Sequence, residues 1–240
     1  MDKKTADRLL AQTRNNYDGF ACAFAQTRSY IWPEMAALVE ENFKAGDSVL
    51  DIGCGNGRFY PFFKDSGGKY CGIDNSQSLI AIARENFPGA EFAVADALSL
   101  PFKKNEFDLA VSIAVLHHIP SKDIREVFFK EAWRVLKPGG IFVAAVWDLR
   151  LRTMIKTKRW RRLNIFAKTQ IKIAAGLEKL DFGDFFIPWQ KKYQRYHHAF
   201  TLRELRKLAV AAGFEIEKNG AISFSQKESN LYIVAKKLHN

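Results

Sequence analysis

The sequence predicts an α/β fold: a doubly wound, mostly parallel sheet with helices on both faces. Three observations predict it. Short apolar runs alternate with helical stretches from residue 48 to residue 147. The first run enters a glycine-rich turn, Gly53-Cys54-Gly55-Asn56-Gly57. Acids close successive runs, at Asp51, Asp74 and Asp96. Such alternation implies βαβ units, a largely parallel sheet and right-handed crossovers.

The elements follow in order. Residues 5–14 carry helix formers, and Pro33 after Trp32 starts a second helix through EMAALVEENF. Between them NNYDGFACAFAQTR is less regular and is placed to drape over a site. Strands are expected at 48–52, 69–73, 91–95, 107–115 and 141–147, with helices near 58–65, 76–86 and 122–136. The last helix should stop at the breaker cluster Lys137-Pro138-Gly139-Gly140. Residues 150–176 hold nine Lys/Arg and no acid, with apolar residues at partial helical spacing, and read as one or two basic amphipathic helices inserted after the fifth strand. DFGDFFIPWQ reads as a loop. Thr201 with Glu204 forms a capping box for a helix over 201–212, ended by Gly213. Strands over 214–223 and 229–236 close the sheet.

One domain is expected: an N-terminal helical cap (1–45), a cofactor-binding core (46–149), a basic insertion and substrate lid (150–200), and a closing helix with two strands (201–240). A 240-residue chain can bury a large core. Three cysteines, none at metal-ligand spacing, suggest a reduced protein without disulfides or a metal site. The polar N-terminus lacks a signal-like apolar segment, and no run is long enough to span a membrane, so the cytoplasm is expected. The net charge of +11 is uneven. Residues 1–149 have 17 Lys/Arg against 19 Asp/Glu, and residues 150–240 have 20 against 7. The asymmetry suggests a polyanionic partner for the second part, with a merely basic surface as the alternative.

The glycine turn separates two nucleotide-like ligands. A nicotinamide site needs G-x-G-x-x-G. Its third glycine would be residue 58, which is Arg. Asp51 just before the turn would repel a pyrophosphate but suit the cationic amino acid head of S-adenosylmethionine. Asp74 is placed for the ribose hydroxyls, with Asn75 beside it, and Asp96, with Ala97, for the adenine amino group. Ile113 at the end of the fourth strand completes the expected cofactor set of Asp51, the turn residues 53–57, Asp74, Asn75, Asp96 and Ala97.

These motifs bring a resemblance. DIGCGNG, GID, VADAL, SIAVLHHI and VLKPGG are similar to the motifs of class I methyltransferases, over about residues 47–147. The resemblance implies a Rossmann-like, seven-stranded sheet with one antiparallel strand near an edge. Phe24-Ala25-Gln26-Thr27-Arg28 with Trp32-Pro33, Ser112 to His118, and Ile187-Pro188-Trp189 followed by Arg195-Tyr196-His197-His198 resemble the family that esterifies carboxymethyluridine at the tRNA wobble position. Ile119 and the pair Leu231-Tyr232 depart from that family's usual aromatics. The resemblance implies tRNA as partner, and a small zinc-binding activator subunit of the kind eukaryotic members use.

A carboxylate acceptor is ionised at pH 7 and needs no base. It needs a cationic clamp, for which Arg28, His117, Arg195 and His198 are candidates. An amine or phenol acceptor would instead need a base, and His117 or His118 would serve. Lys158, Arg159, Arg161, Arg162 and Lys168 are candidates for tRNA phosphates, with an anionic membrane as the alternative. A small-molecule, lipid or quinone methyltransferase, and a non-catalytic subunit binding S-adenosylmethionine or RNA, remain open at this stage.

Overall fold

The computed structural model describes residues 1–28, 30–65, 67–225 and 228–239. Seven strands form one sheet: β1 (Ser48–Ile52), β2 (Lys69–Asp74), β3 (Glu91–Val94), β4 (Phe107–Ile113), β5 (Leu136–Trp147), β8 (Phe214–Ser223) and β9 (Ser229–Lys237), in the order β3-β2-β1-β4-β5-β9-β8. The inner pairs are parallel, as at Asp51 beside Gly72 and Val49 beside Leu109. β9 runs antiparallel to both β5 and β8, which gives the expected single reversed strand next to an edge. The order reverses between β1 and β4, the switch point where such sheets bind ligands.

The strands carry apolar residues on both sides because helices cover both faces. On one face Leu50, Ile52 and Ala110 pack under Phe128, Phe129 and Ala132 of α6 (Lys122–Val135) and Leu205 and Leu208 of α9 (Leu202–Ala211). On the other, Val49, Leu109 and Val111 pack under Met35 and Leu38 of α3 (Pro33–Glu40), Phe63 of α4 (Tyr60–Phe63) and Ile80 and Ala83 of α5 (Gln77–Asn86). The helix starts are capped from the sequence: the Ser76 hydroxyl accepts from the Leu79 N–H, and Thr201 Oγ1 from the Glu204 N–H.

Three expectations are corrected. The helix near 58–65 is the single turn α4, because Pro61 sits in it and the glycine turn runs on before it. β5 begins at Leu136 instead of after Gly140; Gly139 takes φ +82° and the pairing with β4 shifts register, so the breaker cluster is a bulge in the strand. The segment read as a loop forms a hairpin, β6 (Asp184–Trp189) paired with β7 (Tyr193–His198). It lacks the Asn-Gly turn and alternation that mark a hairpin in sequence. Packing holds it instead: Phe185 and Ile187 bury against Leu149, and Tyr196 against Leu9 of α1 (Lys3–Gly19). The basic insertion is two helices, α7 (Leu151–Lys156) and α8 (Trp160–Ala174). α2 (Ala21–Gln26) follows α1 over the carboxyl ends of the strands. Among the described residues no helix is long and apolar enough to cross a membrane.

Candidate active site

The glycine turn leads from β1 toward α4 and leans on the end of β2. The N–H groups of Gly53 and Cys54 both donate to the Ile73 carbonyl, at 2.7 and 2.8 Å. Gly53 has φ +80°, and a Cβ there would sit 2.2 Å from Val115 Cγ2, so no side chain fits. Gly55 has φ +58°, and its N–H donates to Asp74 Oδ2 at 3.0 Å. Asp74 Oδ1 accepts from the Ser76 N–H at 2.9 Å, which fixes the carboxylate at the cavity wall. Burial pushes the Asp74 carboxyl up to about 6, against the pull of those N–H groups. Asp51 is 2 % exposed and accepts from the Tyr70 hydroxyl at 2.8 Å; burial pushes it up to about 7.

One cavity collects Asp51, Gly53 to Asn56, Asp74, Asn75, Asp96, Ala97 and Ile113, nearly the whole expected cofactor set. Gly57 lies just outside, with φ +77° and its missing Cβ against the Phe92 ring. The Asn56 amide donates to the Arg28 carbonyl at 3.0 Å and ties the turn to the segment after α2. The cavity suits S-adenosylmethionine: bare backbone at the turn, a fixed carboxylate with spare lone pairs for two hydroxyls, and a second acid for a cationic head.

The proposed clamp residues separate. His118, not His117, lines the cavity. His118 Nδ1 donates to the Tyr196 carbonyl at 2.8 Å, so Nε2 carries the lone pair and accepts from the Tyr17 hydroxyl at 2.8 Å. Burial pushes His118 down to about 3, so it is neutral. His117 points behind it, its Nε2 unpartnered, stacked on His197. His117, His118 and His197 bring ring nitrogens within 4.8 Å of one another. The planes of His117 and His197 lie 9° apart, 5.2 Å between centroids, so their in-plane lone pairs do not converge on one ion. His198 lies away from the cavity. It bridges Asp184 (2.6 Å) and Glu204 (2.9 Å), beside Arg125. Glu204 thus serves His198, and only half of the capping box forms.

Next to the cavity runs a second groove that shares Arg28, Trp32, Arg58 and Trp147 with it. Five arginines line it: Arg28, Arg58, Arg159, Arg162 and Arg195. Arg58 lies over Trp32 (5.0 Å), Arg162 over Trp147 (5.7 Å) and Arg195 over Trp189 (4.6 Å). Among the described residues only Arg159 has an acid partner, Glu228 at 3.4 Å; Asp148 in the same wall is held by Arg150. Arg58 Nη1 and Arg195 Nε and Nη1 are buried without a hydrogen-bond partner. Burial pushes Arg58 and Arg162 down to about 10, which leaves them charged at neutral pH. Lys158, Arg161 and Lys168 stand exposed outside the groove.

Residues 50–144 match the methyltransferase domain family. Residues 50–144 thus form a methyltransferase domain. Its fold matches a solved S-adenosylmethionine-dependent methyltransferase from Methanosarcina mazei with a TM-score of 0.72 and 27% identity, covering 88% of this chain and 99% of that one. It is 36% identical over 148 residues to an Arabidopsis thaliana tRNA (carboxymethyluridine(34)-5-O)-methyltransferase, which covers 62% of this chain. The chain spans about a third (35%) of that relative's length. A Haloferax volcanii methyltransferase, solved in complex with the activator Trm112, shares the fold at 19% identity, TM-score 0.67, with 95% of this chain and 98% of that chain covered. The methyltransferase domain takes S-adenosylmethionine as its donor.

Sequence reasoning missed Arg58, Tyr17 and Trp147. Arg58 stood in view as the residue replacing the third glycine of a dinucleotide turn. Trp147 ends a strand at the ligand-binding edge, which is itself a signal. Tyr17 gives no local signal; its partner His118 lies 101 residues away.

Proposed function

We propose that the protein transfers a methyl group from S-adenosylmethionine to the carboxylate of a carboxymethyl-type uridine at the wobble position of tRNA. The observation that carries this is the arginine groove abutting the donor cavity, with buried guanidinium N–H groups that have no internal acceptor. Buried charged donors of this kind fit an anion supplied by a ligand. The tryptophans beneath them hold the guanidinium planes, with Phe224, His197 and Phe20 against Trp32, Trp147 and Trp189. The relative's name supports the same acceptor.

The donor supplies a sulfonium-bound methyl group, attacked in line by the acceptor oxygen. The protein aligns the two partners and excludes water. Asp74 and the glycine turn hold the donor's nucleoside end. Arg58 and Arg195 orient the carboxylate through two-pronged hydrogen bonds, and Arg28 stands at the join of the two cavities. No proton has to leave a carboxylate. That accords with His118, whose two ring nitrogens are both engaged.

Arg159 and Arg162 in the groove, and Lys158, Arg161 and Lys168 outside it, are proposed to follow the tRNA phosphates. The family resemblance adds a small zinc-binding activator subunit as partner and the cytoplasm as the working compartment. Mass spectrometry of tRNA nucleosides from cells with and without the gene tests the reading. Loss of the methyl ester with accumulation of the free acid supports it, and an unchanged nucleoside profile sinks it.

A further inference from the structure

β9 breaks its own pattern at one residue. Tyr232 and Val234 pack in the core that also holds Met35 of α3 and Phe63 of α4. Strand alternation puts Asn230 on that same face, where an apolar residue is expected. Asn230 is 2 % exposed and pairs in the sheet with Trp147 of β5 and Ile222 of β8. Its Nδ2 has no hydrogen-bond partner. A buried amide left unpaired costs free energy, and a ligand atom can supply what the fold does not. Asn230 lines the arginine groove and not the donor cavity, whereas Trp147 beside it lines both. Among the described residues of the groove, every buried side-chain atom without a partner is a donor: Arg58 Nη1, Trp189 Nε1, Arg195 Nε and Nη1, and Asn230 Nδ2. The charged donors suit a carboxylate. A neutral amide N–H suits a neutral carbonyl. Uracil has two carbonyl oxygens on its pairing edge, the edge by which an unstacked base is read. Cytosine has an amino group in place of one of them, and that group would meet these donors like to like.

We infer that Asn230 is a specificity-determining residue, whose side-chain amide donates from the wall of the arginine groove to a carbonyl oxygen of the acceptor uracil and so selects uracil over cytosine. This rests on the carboxylate-acceptor reading. It divides the work of the groove: the arginines take the acid that receives the methyl group, and Asn230 takes the ring that carries the acid.

The test measures binding by the purified full chain saturated with S-adenosylhomocysteine. The probes are three anticodon stem-loop RNAs that differ only at the wobble position: carboxymethyluridine, uridine and cytidine. The wild type should prefer carboxymethyluridine to uridine, and uridine to cytidine. Asn230→Leu keeps the size of the side chain and removes the donor. It should reduce the preference for uridine over cytidine about ten-fold, the scale of one buried hydrogen bond, and leave the preference for the acid and the affinity for S-adenosylhomocysteine unchanged. Asn230→Asp keeps the shape and turns the donor into an acceptor, so it should move the preference toward cytidine, whose amino group can donate to it; it also keeps the test open should the leucine fail to pack. A wild type indifferent to uridine and cytidine, a uridine preference that survives the substitutions, or an equal fall in the acid preference of Asn230→Leu overturns the role of Asn230 while leaving the acceptor reading in place. A wild type that does not distinguish carboxymethyluridine from uridine overturns the acceptor reading and this inference with it.

Discussion

The guanidinium of Arg195 lies over the indole of Trp189, 4.6 Å from the ring centroid, with two of its nitrogens unpartnered. Burying a charge without a counter-charge costs free energy unless a ligand supplies the partner. Stacking on the indole holds the plane of the fork and leaves its edge to bind. Arg195→Ala and Arg58→Ala should each lower kcat/KM for the tRNA acceptor about a hundred-fold, from the loss of charged hydrogen bonds of roughly 1.5–3 kcal/mol each. For Arg195→Ala, which lies outside the donor cavity, the affinity for S-adenosylhomocysteine, measured by calorimetry, should stay within about two-fold. A parallel loss of both would place Arg195 in the donor site instead.

Asp74→Ala should weaken donor binding by about ten- to a hundred-fold with little change in melting temperature, if the carboxylate fixed at the cavity wall accepts from two ligand hydroxyls as proposed. Titration of S-adenosylhomocysteine into the variant reads this directly.

Donor affinity should also depend on pH. Asp74 and Asp51 have folded values of about 6 and about 7, raised above the ordinary 3.8 by burial. The empty protein therefore holds these protons more tightly than the unfolded chain. The stability they contribute is present below the unfolded value and is lost as pH rises through the folded ones. A donor that needs the ionised carboxylates binds better as pH climbs through the same range. S-adenosylhomocysteine should bind about four-fold more weakly near pH 5.5 than near pH 7.5, from the Asp74 titration alone. A flat profile would contradict the assignment.

His198→Ala should lower stability by about 3 kcal/mol, because it breaks a buried charged cluster with Asp184, Glu204 and Arg125. Burial opposes charging of His198, but the Asp184 and Glu204 carboxylates outweigh it and hold the imidazole above its ordinary range. A raised imidazole stabilises fully below its unfolded value and less as pH rises through the folded one. The gap in melting temperature between wild type and variant should therefore narrow toward alkaline pH. Donor affinity should not change, since His198 lies outside the cavity.

Replacing Arg159, Arg161 and Arg162 together with Ala should weaken tRNA binding and reduce the slope of log K against log salt by about two to three, near 0.9 per phosphate contact removed. Filter binding over a salt series checks it. An unchanged slope would remove the phosphate role of α8.

Much of the fold and the grouping of the candidate residues around one cavity was legible in the chain, because they depend on short-range rules. A buried strand reads as an apolar run. A turn that needs positive φ and bare backbone reads as Gly53 and Gly55. An acid at a strand end faces the ligand edge wherever that strand lies in a parallel sheet. These local constraints were enough to place Asp51, Asp74 and Asp96 around one cavity and to exclude a nicotinamide turn at Arg58. Tertiary structure decided what depends on partners far apart in sequence. His117 and His118 are neighbours, yet only packing shows that the second faces the cavity and the first backs onto His197. His198 and Arg195, three residues apart on β7, part company: one joins an ion cluster and the other opens onto the groove. The hairpin that carries both has no turn signature and exists because α1 and α8 bury its apolar face. Side-chain direction on a short irregular segment is set by what it packs against, and that information is spread over the whole chain rather than held in the segment itself.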